Sequence, residues 1–571
     1  MPKQDFVVRF AAEGGAGVVS ASEILAQSAS QYGYHVQTFA TFPSQILGGP
    51  TWTQARVSTS RVLSSGDEVD ILVAFNKEAY DTHRSEVRAG GVVLYDSASF
   101  TPDKDKQAIG LPFDELAKKS GNTRAGNMVV LGALTRLVNW ELDFLEQFNA
   151  KRFSRGRPGD EAIVAGNKLA LHLGRDAAAS AEMQVGQLPP PIPVSYAQIL
   201  LNGNTAIALG AMHAGIDVYV GYPISPATPI LVFMERNLMG PNKFAYQASS
   251  EIESINTILG AGFTGKKAMT ATAGPGFSLM SEGLGLAWMS EIPLVVVDVQ
   301  RGGPATGLPT KTEQSDLLAA LNPAHGDVSM PVIAPGTVEE CFYAAVKAFN
   351  WAERYQGPVI ILSEMMLSER SENIPKPDLS KVLVENRKVY TGNNGYRRYE
   401  EHGVSPMPLP GGPGSYIANG SEHDPFGDTT HLPDRHIHMT ERRFSKLKLL
   451  EDGAWESKNT QHSIAVMPWG GEKGSGMEAY AQLEAAGVPV AWYYTMFLNP
   501  LPPKLLEELR SKELVLVPEL NYMGQFASVL RSHGVRAEAI TQYTGLPFKV
   551  RDLVRRVTER VQAGTKGKVK V

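Results

Sequence analysis

Ser249-Ser250-Glu251-Ile252-Glu253, then Ala268-Met269-Thr270-Ala271-Thr272-Ala273-Gly274-Pro275-Gly276-Phe277, then Pro293-Leu294-Val295-Val296-Val297-Asp298-Val299-Gln300-Arg301-Gly302-Gly303 carry the pattern that decides the fold. The first segment is a helix start, because Ser250 and Glu253 stand three apart as a capping box, S-x-x-E. The other two are short apolar runs rich in Val or Thr that end at glycine, which suits buried parallel strands. Strands that alternate with helices in this way are the signature of an α/β fold. The loops leaving these strands hold small residues, across which a ligand can approach the backbone. The same stretch holds one carboxylate, Glu251, and one guanidinium, Arg301, at the ends of expected helices and strands.

Outward from this stretch the alternation continues. Helix Asn204–Ala214, strand Asp217–Gly221, helix Val338–Arg354 and strand Val359–Ser363 are expected around it, giving a mostly parallel sheet with helices on both faces over residues 195–378. Upstream, strands Phe6–Phe10, Val36–Ala40, Ile71–Ala74 and Gly91–Tyr95 alternate with a helix over Ser20–Tyr32 and another from Met128. Residues 1–185 thus form a separate α/β domain, ended by the extended run Gly186-Gln187-Leu188-Pro189-Pro190-Pro191-Ile192-Pro193. Pro375-Lys376-Pro377 closes the second block. Residues 379–460 read as a linker, and 390–440 within it as an irregular excursion rather than a packed domain. A third α/β domain spans 461–571, with strands Ser463–Met467, Pro489–Tyr494 and Leu514–Pro518, the turn Gly470–Gly476 and a helix over Met477–Ala486. The expected fold class is therefore α/β, in three domains with an irregular linker.

The 571 residues carry 54 Lys and Arg against 59 Asp and Glu, a net charge of −5 spread along the chain, which points to no nucleic-acid or membrane partner. The N-terminus reads as a strand rather than a signal peptide, and no apolar run approaches the ~18 residues a membrane span needs, so a cytoplasmic protein is expected. The single cysteine, Cys341, sits in an apolar helix. One cysteine allows no internal disulfide and cannot hold a four-cysteine iron–sulfur cluster. His402, His423, His431, His436 and His438 fit no familiar metal-ligand spacing, and no metal site is expected on this chain.

Gly14-Gly15-Ala16-Gly17 lies between a strand and a helix, where backbone N–H groups can cradle a phosphate; a tight turn is the plainer alternative. Gly48-Gly49-Pro50, after the second strand, would share that edge. A dinucleotide site would want an acid about twenty residues on, and His35-Val36-Gln37-Thr38-Phe39-Ala40 has none, which disfavours NAD. Tyr222-Pro223-Ile224-Ser225-Pro226-Ala227-Thr228-Pro229 follows strand Asp217–Gly221, its prolines fixing the backbone so that the Ser225 and Thr228 hydroxyls are held rigidly. Glu253 is explained by capping. Glu251 gains from the helix dipole, and Arg301, followed by glycines, presents a fork suited to a carboxylate; a surface ion pair is the competing possibility. Thr306, Thr310 and Lys311 share the Arg301 loop.

Taken together, Tyr222-Pro223-Ile224-Ser225-Pro226, Glu251, Thr272-Ala273-Gly274-Pro275-Gly276-Phe277-Ser278-Leu279-Met280, Arg301 and Thr306-Gly307-Leu308-Pro309-Thr310 resemble the α subunit of the 2-oxoacid:ferredoxin oxidoreductases. The first block resembles that family's γ subunit, as in the γα-fused form, and the third its transketolase C-terminal-like domain. Ser225 stands where the family has Thr, and Leu47 where it often carries a basic residue.

The resemblance implies thiamine diphosphate bound against Tyr222, Pro223, Ile224 and Glu251, with Glu251 hydrogen-bonding the aminopyrimidine ring so that its imino form activates the thiazolium carbon. It places the substrate against Ser225, Arg301, Thr306 and Thr310. The first block becomes a coenzyme A-binding domain, with Gly14, Gly15, Gly17, Gly48 and Gly49 as the phosphate-facing positions. The implied reaction is oxidative decarboxylation of a 2-oxoacid, 2-oxoglutarate foremost, to an acyl-CoA (succinyl-CoA) with reduction of ferredoxin, or the reverse carboxylation. No Gly-Asp-Gly followed by Asn is present, and Gly66-Asp67 and Gly159-Asp160 lack that context. The Mg2+ site and the [4Fe-4S] cluster are accordingly expected on a β subunit, in an (αβ)2 heterotetramer. Alternatives are pyruvate or broad 2-oxoacid specificity, a non-catalytic assembly subunit, and an NAD-linked dehydrogenase.

Overall fold

The computed structural model describes residues 4–43, 48–180, 183, 185–392, 395–400 and 403–568. It has three sheets and divides into two compact units, Met1–Leu201 with Arg370–Lys376, and Asn202–Glu369 with Pro377–Val571. The α/β class expected from the alternating pattern is what forms.

In the first unit the expected strands appear as Asp5–Glu13, His35–Thr41, Val69–Ala74 and Val87–Asp96, in an eight-stranded sheet. Four of its strands were not foreseen: Pro50–Ser58, Ala108–Leu111, Gln198–Asn202 and Ser371–Pro375. Pro50–Ser58 inserts between Asp5–Glu13 and His35–Thr41 and runs antiparallel to both. Its polar sequence hides it, because the polar side chains are satisfied across the sheet rather than by water. Gln54 accepts from Nε and Nη2 of buried Arg9 at 3.0 and 2.8 Å, and Arg56 donates to Asp5 at 2.7 Å. Strand Ser371–Pro375 also joins this sheet, beside His35–Thr41. The helices, Val18–Tyr32 and Gly126–Leu137 among them, pack their apolar sides into one core with Phe6, Val8, Phe10, Val73 and Leu94.

In the second unit a seven-stranded sheet runs in the order Phe497–Asn499, Val332–Ile333, Pro358–Glu364, Leu294–Gln300, Ala268–Thr272, Val218–Gly221, Phe244–Gln247. Every pair is parallel except the first. Leu294, Val295, Val296, Val297 and Val299 are all buried, as a strand covered on both faces requires. The edge strand Phe497–Asn499 comes from the C-terminal block, whose own five-stranded sheet contains the three expected strands together with Glu456–Lys458 and Ala537–Thr541. Gln314, in the loop that follows strand Leu294–Gln300, binds this C-terminal block through both its backbone and its side chain. Its N–H and Oε1 pair with the Leu520 carbonyl and N–H at 2.8 and 2.9 Å, and its Nε2 donates to the Trp469 carbonyl at 2.9 Å.

The excursion over 390–440 is irregular as expected but more tightly held. Arg398 and Tyr399 are fully buried, and a helix, Pro433–Ser445, follows. Their anchor is Glu291. Arg442 binds its two oxygens at 3.0 and 3.2 Å, Lys446 adds a bond of 2.8 Å, and Arg398 donates to its backbone carbonyl at 2.7 Å. Burial would raise the Glu291 carboxyl, yet the charges of Lys446, Arg442 and Arg398 hold it well below the usual carboxylate range. Burial in turn brings Lys446 down to about 8. Charged anchors carry no apolar period, which is why composition alone reads the segment as loose. Among the described residues no helix is long and apolar enough to cross a membrane.

Candidate functional site

Helix Glu251–Phe263 begins at Ser250, whose Oγ accepts from the Glu253 N–H at 3.2 Å. The reciprocal half of the capping box lands one residue early, since the Glu253 carboxylate takes the N–H and hydroxyl of Ser249, both at 2.6 Å. Glu253 is thus spent on capping. Glu251 is different: it is 5% exposed, and its carboxylate has no hydrogen-bond partner among the described residues. Space for it is made by glycine. A Cβ on Gly276 would stand 2.2 Å from Thr272 Oγ1 and 2.4 Å from Glu251 Oε1, so no larger residue fits where helix Gly274–Leu279 crosses this carboxylate.

Arg301 leaves the C-terminal end of strand Leu294–Gln300 and donates from Nη1 to the Ser225 carbonyl at 2.7 Å. It is 8% exposed, and its buried Nε has no partner among the described residues. The Tyr222–Thr228 turn is fixed by the Ile224 carbonyl, which accepts from the Ala227 and Thr228 N–H groups and the Thr228 hydroxyl at 2.8, 3.0 and 3.0 Å. The Thr228 hydroxyl is therefore held, as expected, but the Ser225 hydroxyl is not. Ser225 engages Arg301 through its backbone, so replacing the family's Thr by Ser leaves that contact untouched. Tyr222 is exposed, and Pro223 and Ile224 are half-buried beside it.

The Arg301 loop folds back through Gly302, whose N–H reaches the Lys311 carbonyl at 3.0 Å and whose carbonyl accepts from Leu308 at 2.8 Å. Half-buried Thr310 returns to the base of the loop, while Thr306 stays exposed and bonds to neither Ser225 nor Arg301.

Two acids of this wall went unnoticed in the sequence. Asp298 is fully buried with both oxygens unpartnered, and burial, with the charge of Asp316, pushes its carboxyl well above the usual range. Asp316 lies against the Gly274 backbone, where a Cβ would stand 2.7 Å from its Oδ2. Burial and the charge of Glu313 push Asp316 up to about 6, against the opposing pull of Arg301. The one polar residue in the run Val295-Val296-Val297-Asp298-Val299 was the available signal.

In the first unit, Gly48 and Gly49 do lie against the Gly14 loop: the Gly14 N–H donates to the Gly49 carbonyl at 2.9 Å. The Ala16 N–H is spent on the Glu13 carbonyl at 3.2 Å, so the expected cradle of free N–H groups is narrower than the four-residue motif suggests. Gly15 and Gly17 both take positive φ, and Gly17 caps helix Val18–Tyr32, with Asn127 Nδ2 on its carbonyl at 3.1 Å. Leu47 lies outside the described residues. Beside the loop a cleft of about 340 Å³ is lined on its polar side by Ser20, Asn122, Arg124, Asn127, Arg152 and Arg155, with no carboxylate in the lining among the described residues.

The excursion's histidines are scattered among other partners. His423 is buried with Nδ1 at 2.8 Å from the Ser421 carbonyl, and His436 pairs with Glu422 at 2.6 Å; His402 lies outside the described residues. No group of three His, Cys, Asp or Glu among the described residues is placed to hold a metal ion.

Two family models match the chain: pyruvate ferredoxin/flavodoxin oxidoreductase over residues 7–177, and the thiamine diphosphate-binding region of pyruvate flavodoxin/ferredoxin oxidoreductase over residues 209–442. Over 95% of its length the chain is 32% identical to 2-oxoglutarate oxidoreductase subunit KorA of Mycobacterium tuberculosis, covering 90% of that protein. The chain belongs to the α subunits of the 2-oxoacid:ferredoxin oxidoreductases. It is also 30% identical to 2-oxoacid:ferredoxin oxidoreductase 2, subunit alpha, of Aeropyrum pernix, over 95% of this chain and 96% of that one. A solved 2-oxoglutarate:ferredoxin oxidoreductase from Magnetococcus marinus, with 2-oxoglutarate, coenzyme A and succinyl-CoA bound, shares the fold. Its TM-score is 0.93 at 35% identity, over 98% of this chain and 100% of that one. Glu251, Gly276 and Arg301 all fall within the region matched by the family's thiamine diphosphate-binding model.

Proposed function

We propose that this chain is the α subunit of a cytoplasmic, thiamine diphosphate-dependent enzyme that oxidatively decarboxylates 2-oxoglutarate to succinyl-CoA and reduces ferredoxin, or runs the reverse carboxylation. It rests above all on one arrangement. A buried carboxylate, Glu251, stands beside Gly276 with no hydrogen-bond partner among the described residues, at the same sheet end as a guanidinium, Arg301, whose buried Nε likewise has no partner among them.

Those residues fit the cofactor. The Glu251 carboxylate suits a ring nitrogen that must gain and lose a proton, since a carboxylate in a dry wall forms a strong charge-assisted bond. Thiamine diphosphate, when bound, supplies a nucleophilic carbon and an electron sink for decarboxylation. Arg301 supplies the anion site. Its Nη1 is held by the Ser225 carbonyl, which aims the rest of the fork at a substrate carboxylate, and its burial keeps water from screening the pair. Tyr222, Pro223 and Ile224 form the flank of this wall, and Thr310 its lower edge; Thr306 reaches the substrate only if the loop closes on it.

Coenzyme A is assigned to the first unit. The Gly14–Gly17 and Gly48–Gly49 loops lie together there, and the arginine-lined cleft beside them suits a phosphorylated nucleotide. The Mg2+ and diphosphate end of the cofactor and the [4Fe-4S] cluster are assigned to a β subunit in an (αβ)2 assembly, because the single cysteine and the lack of Gly-Asp-Gly leave this chain without either site. 2-Oxoglutarate is preferred to pyruvate on the names of the Mycobacterium relative and the Magnetococcus structure.

Co-purification with the β subunit and assay of ferredoxin reduction tests the proposal. A brown complex whose turnover requires 2-oxoglutarate and coenzyme A supports it. A colourless homo-oligomer active alone, or a complex that prefers pyruvate, counts against it.

A further inference from the structure

Behind the Ser225 turn lies a buried amide with an uneven set of partners. Asn204, in the first turn of helix Gly203–His213, is fully buried. Its Nδ2 donates to the Pro226 carbonyl at 3.0 Å and to Glu369 Oε1 at 3.3 Å, while its Oδ1 has no partner among the described residues. The orientation follows from chemistry: a carbonyl and an ionised carboxylate are both acceptors, so both need the NH2 end of the amide. Pro226 adjoins Ser225, whose carbonyl accepts from Arg301 at 2.7 Å.

We propose that Asn204 and Glu369 are positioning residues for the substrate-carboxylate site. Ionised Glu369 holds the Asn204 amide, the amide holds the Pro226 carbonyl, and the turn so fixed presents the Ser225 carbonyl that aims Arg301. The inference rests on Arg301 as the substrate's carboxylate ligand.

Protonation reverses the logic, because a neutral Glu369 carries an O–H donor and the unsatisfied Asn204 Oδ1 is an acceptor. Rotating the amide to meet it withdraws Nδ2 from Pro226. Burial pushes Glu369 up to about 7, so the exchange falls in a working pH range. The elements packed on its helix, Met365–Glu369, are Gly203–His213, Leu294–Gln300 and Pro358–Glu364. Their ionisable groups are His213 at a helix end, Asp298, and Glu364 at a strand end. The neighbouring Arg370 is paired with Glu372 at 3.2 Å.

The test is steady-state kinetics of the αβ holoenzyme with 2-oxoglutarate from about pH 6 to about pH 8, comparing wild type, Glu369→Gln, Asn204→Ala and Arg301→Ala. In wild type, KM rises several-fold on acidification through about pH 7 with a smaller change in kcat. Glu369→Gln presents a carbonyl and a donor, as the neutral acid does, and cannot ionise, so its KM is flat with pH at the raised value that wild type reaches on acidification. Asn204→Ala raises KM about tenfold at every pH. If Asn204→Ala fails to fold, the isosteric Glu369→Gln decides alone. An unchanged wild-type inflection in Glu369→Gln overturns the inference, as does a KM within about twofold of wild type in folded Asn204→Ala. If Arg301→Ala leaves KM unchanged, it is the assignment of Arg301 that falls.

Discussion

A β-carbon on Gly276 would stand 2.4 Å from Oε1 of Glu251. The helix turn and the carboxylate are therefore closely packed, with room at position 276 for glycine only while Glu251 stays in place. Gly276→Ala should displace Glu251 or Thr272, costing about 1–3 kcal/mol in stability, as overpacking of a filled site does. Turnover should fall further than the melting shift alone explains. Thermal melting with thiamine diphosphate titration of the complex checks both effects; full activity in a folded variant would mean that Glu251 tolerates displacement.

Arg301 uses one arm on the Ser225 carbonyl and keeps Nε buried without a partner. Arg301→Lys retains the charge but not the fork, so it cannot hold Ser225 and a carboxylate together. KM for 2-oxoacid should rise at least about tenfold, on the scale of a lost charge-assisted bond. Kinetics of the lysine variant at saturating coenzyme A measures this directly.

Asp316 titrates at about 6, raised by burial and by Glu313. Its folded value lies above the unfolded one, so its contribution to stability is fully present below the ordinary carboxylate range and lost as pH rises through about 6. Asp316→Asn removes that loss. Relative to wild type, the variant should gain on the order of 2 kcal/mol across that window, read from denaturant midpoints at several pH values.

Among the described residues Glu291 is the one anion facing Arg398, Arg442 and Lys446 in its buried cluster. Glu291→Gln leaves those cations uncompensated and should destabilise by about 3–5 kcal/mol, the cost of breaking a buried pair. Limited proteolysis should then cut first within residues 390–440. Equal stability of the glutamine variant would show that the cluster is hydrated in solution.

How much of this was legible beforehand depends on which forces leave a pattern. Apolar runs ending in glycine gave the parallel sheet around Arg301, and the S-x-x-E start separated Glu253 from Glu251. Strand Pro50–Ser58 was missed because Thr53 and Gln54 are buried, and Arg56 half-buried, by polar pairing, which a hydrophobic period does not record. The edge strand Phe497–Asn499 was missed for another reason: its partner, Val332–Ile333, lies far away in sequence. At the site, Glu251 and Arg301 were visible as types at strand and helix ends. The Ser225 carbonyl, rather than its hydroxyl, as the Arg301 partner was not, since a backbone bond leaves no mark on side-chain identity. Asn204 and Glu369, which meet only through the fold, were equally silent.

The most direct measurement is turnover of the holoenzyme assembled with Glu251→Gln, with bound thiamine diphosphate quantified in the same sample. An acid that must exchange a proton with the cofactor ring predicts retained cofactor and turnover reduced at least about tenfold. Turnover equal to wild type, with cofactor bound, would contradict it.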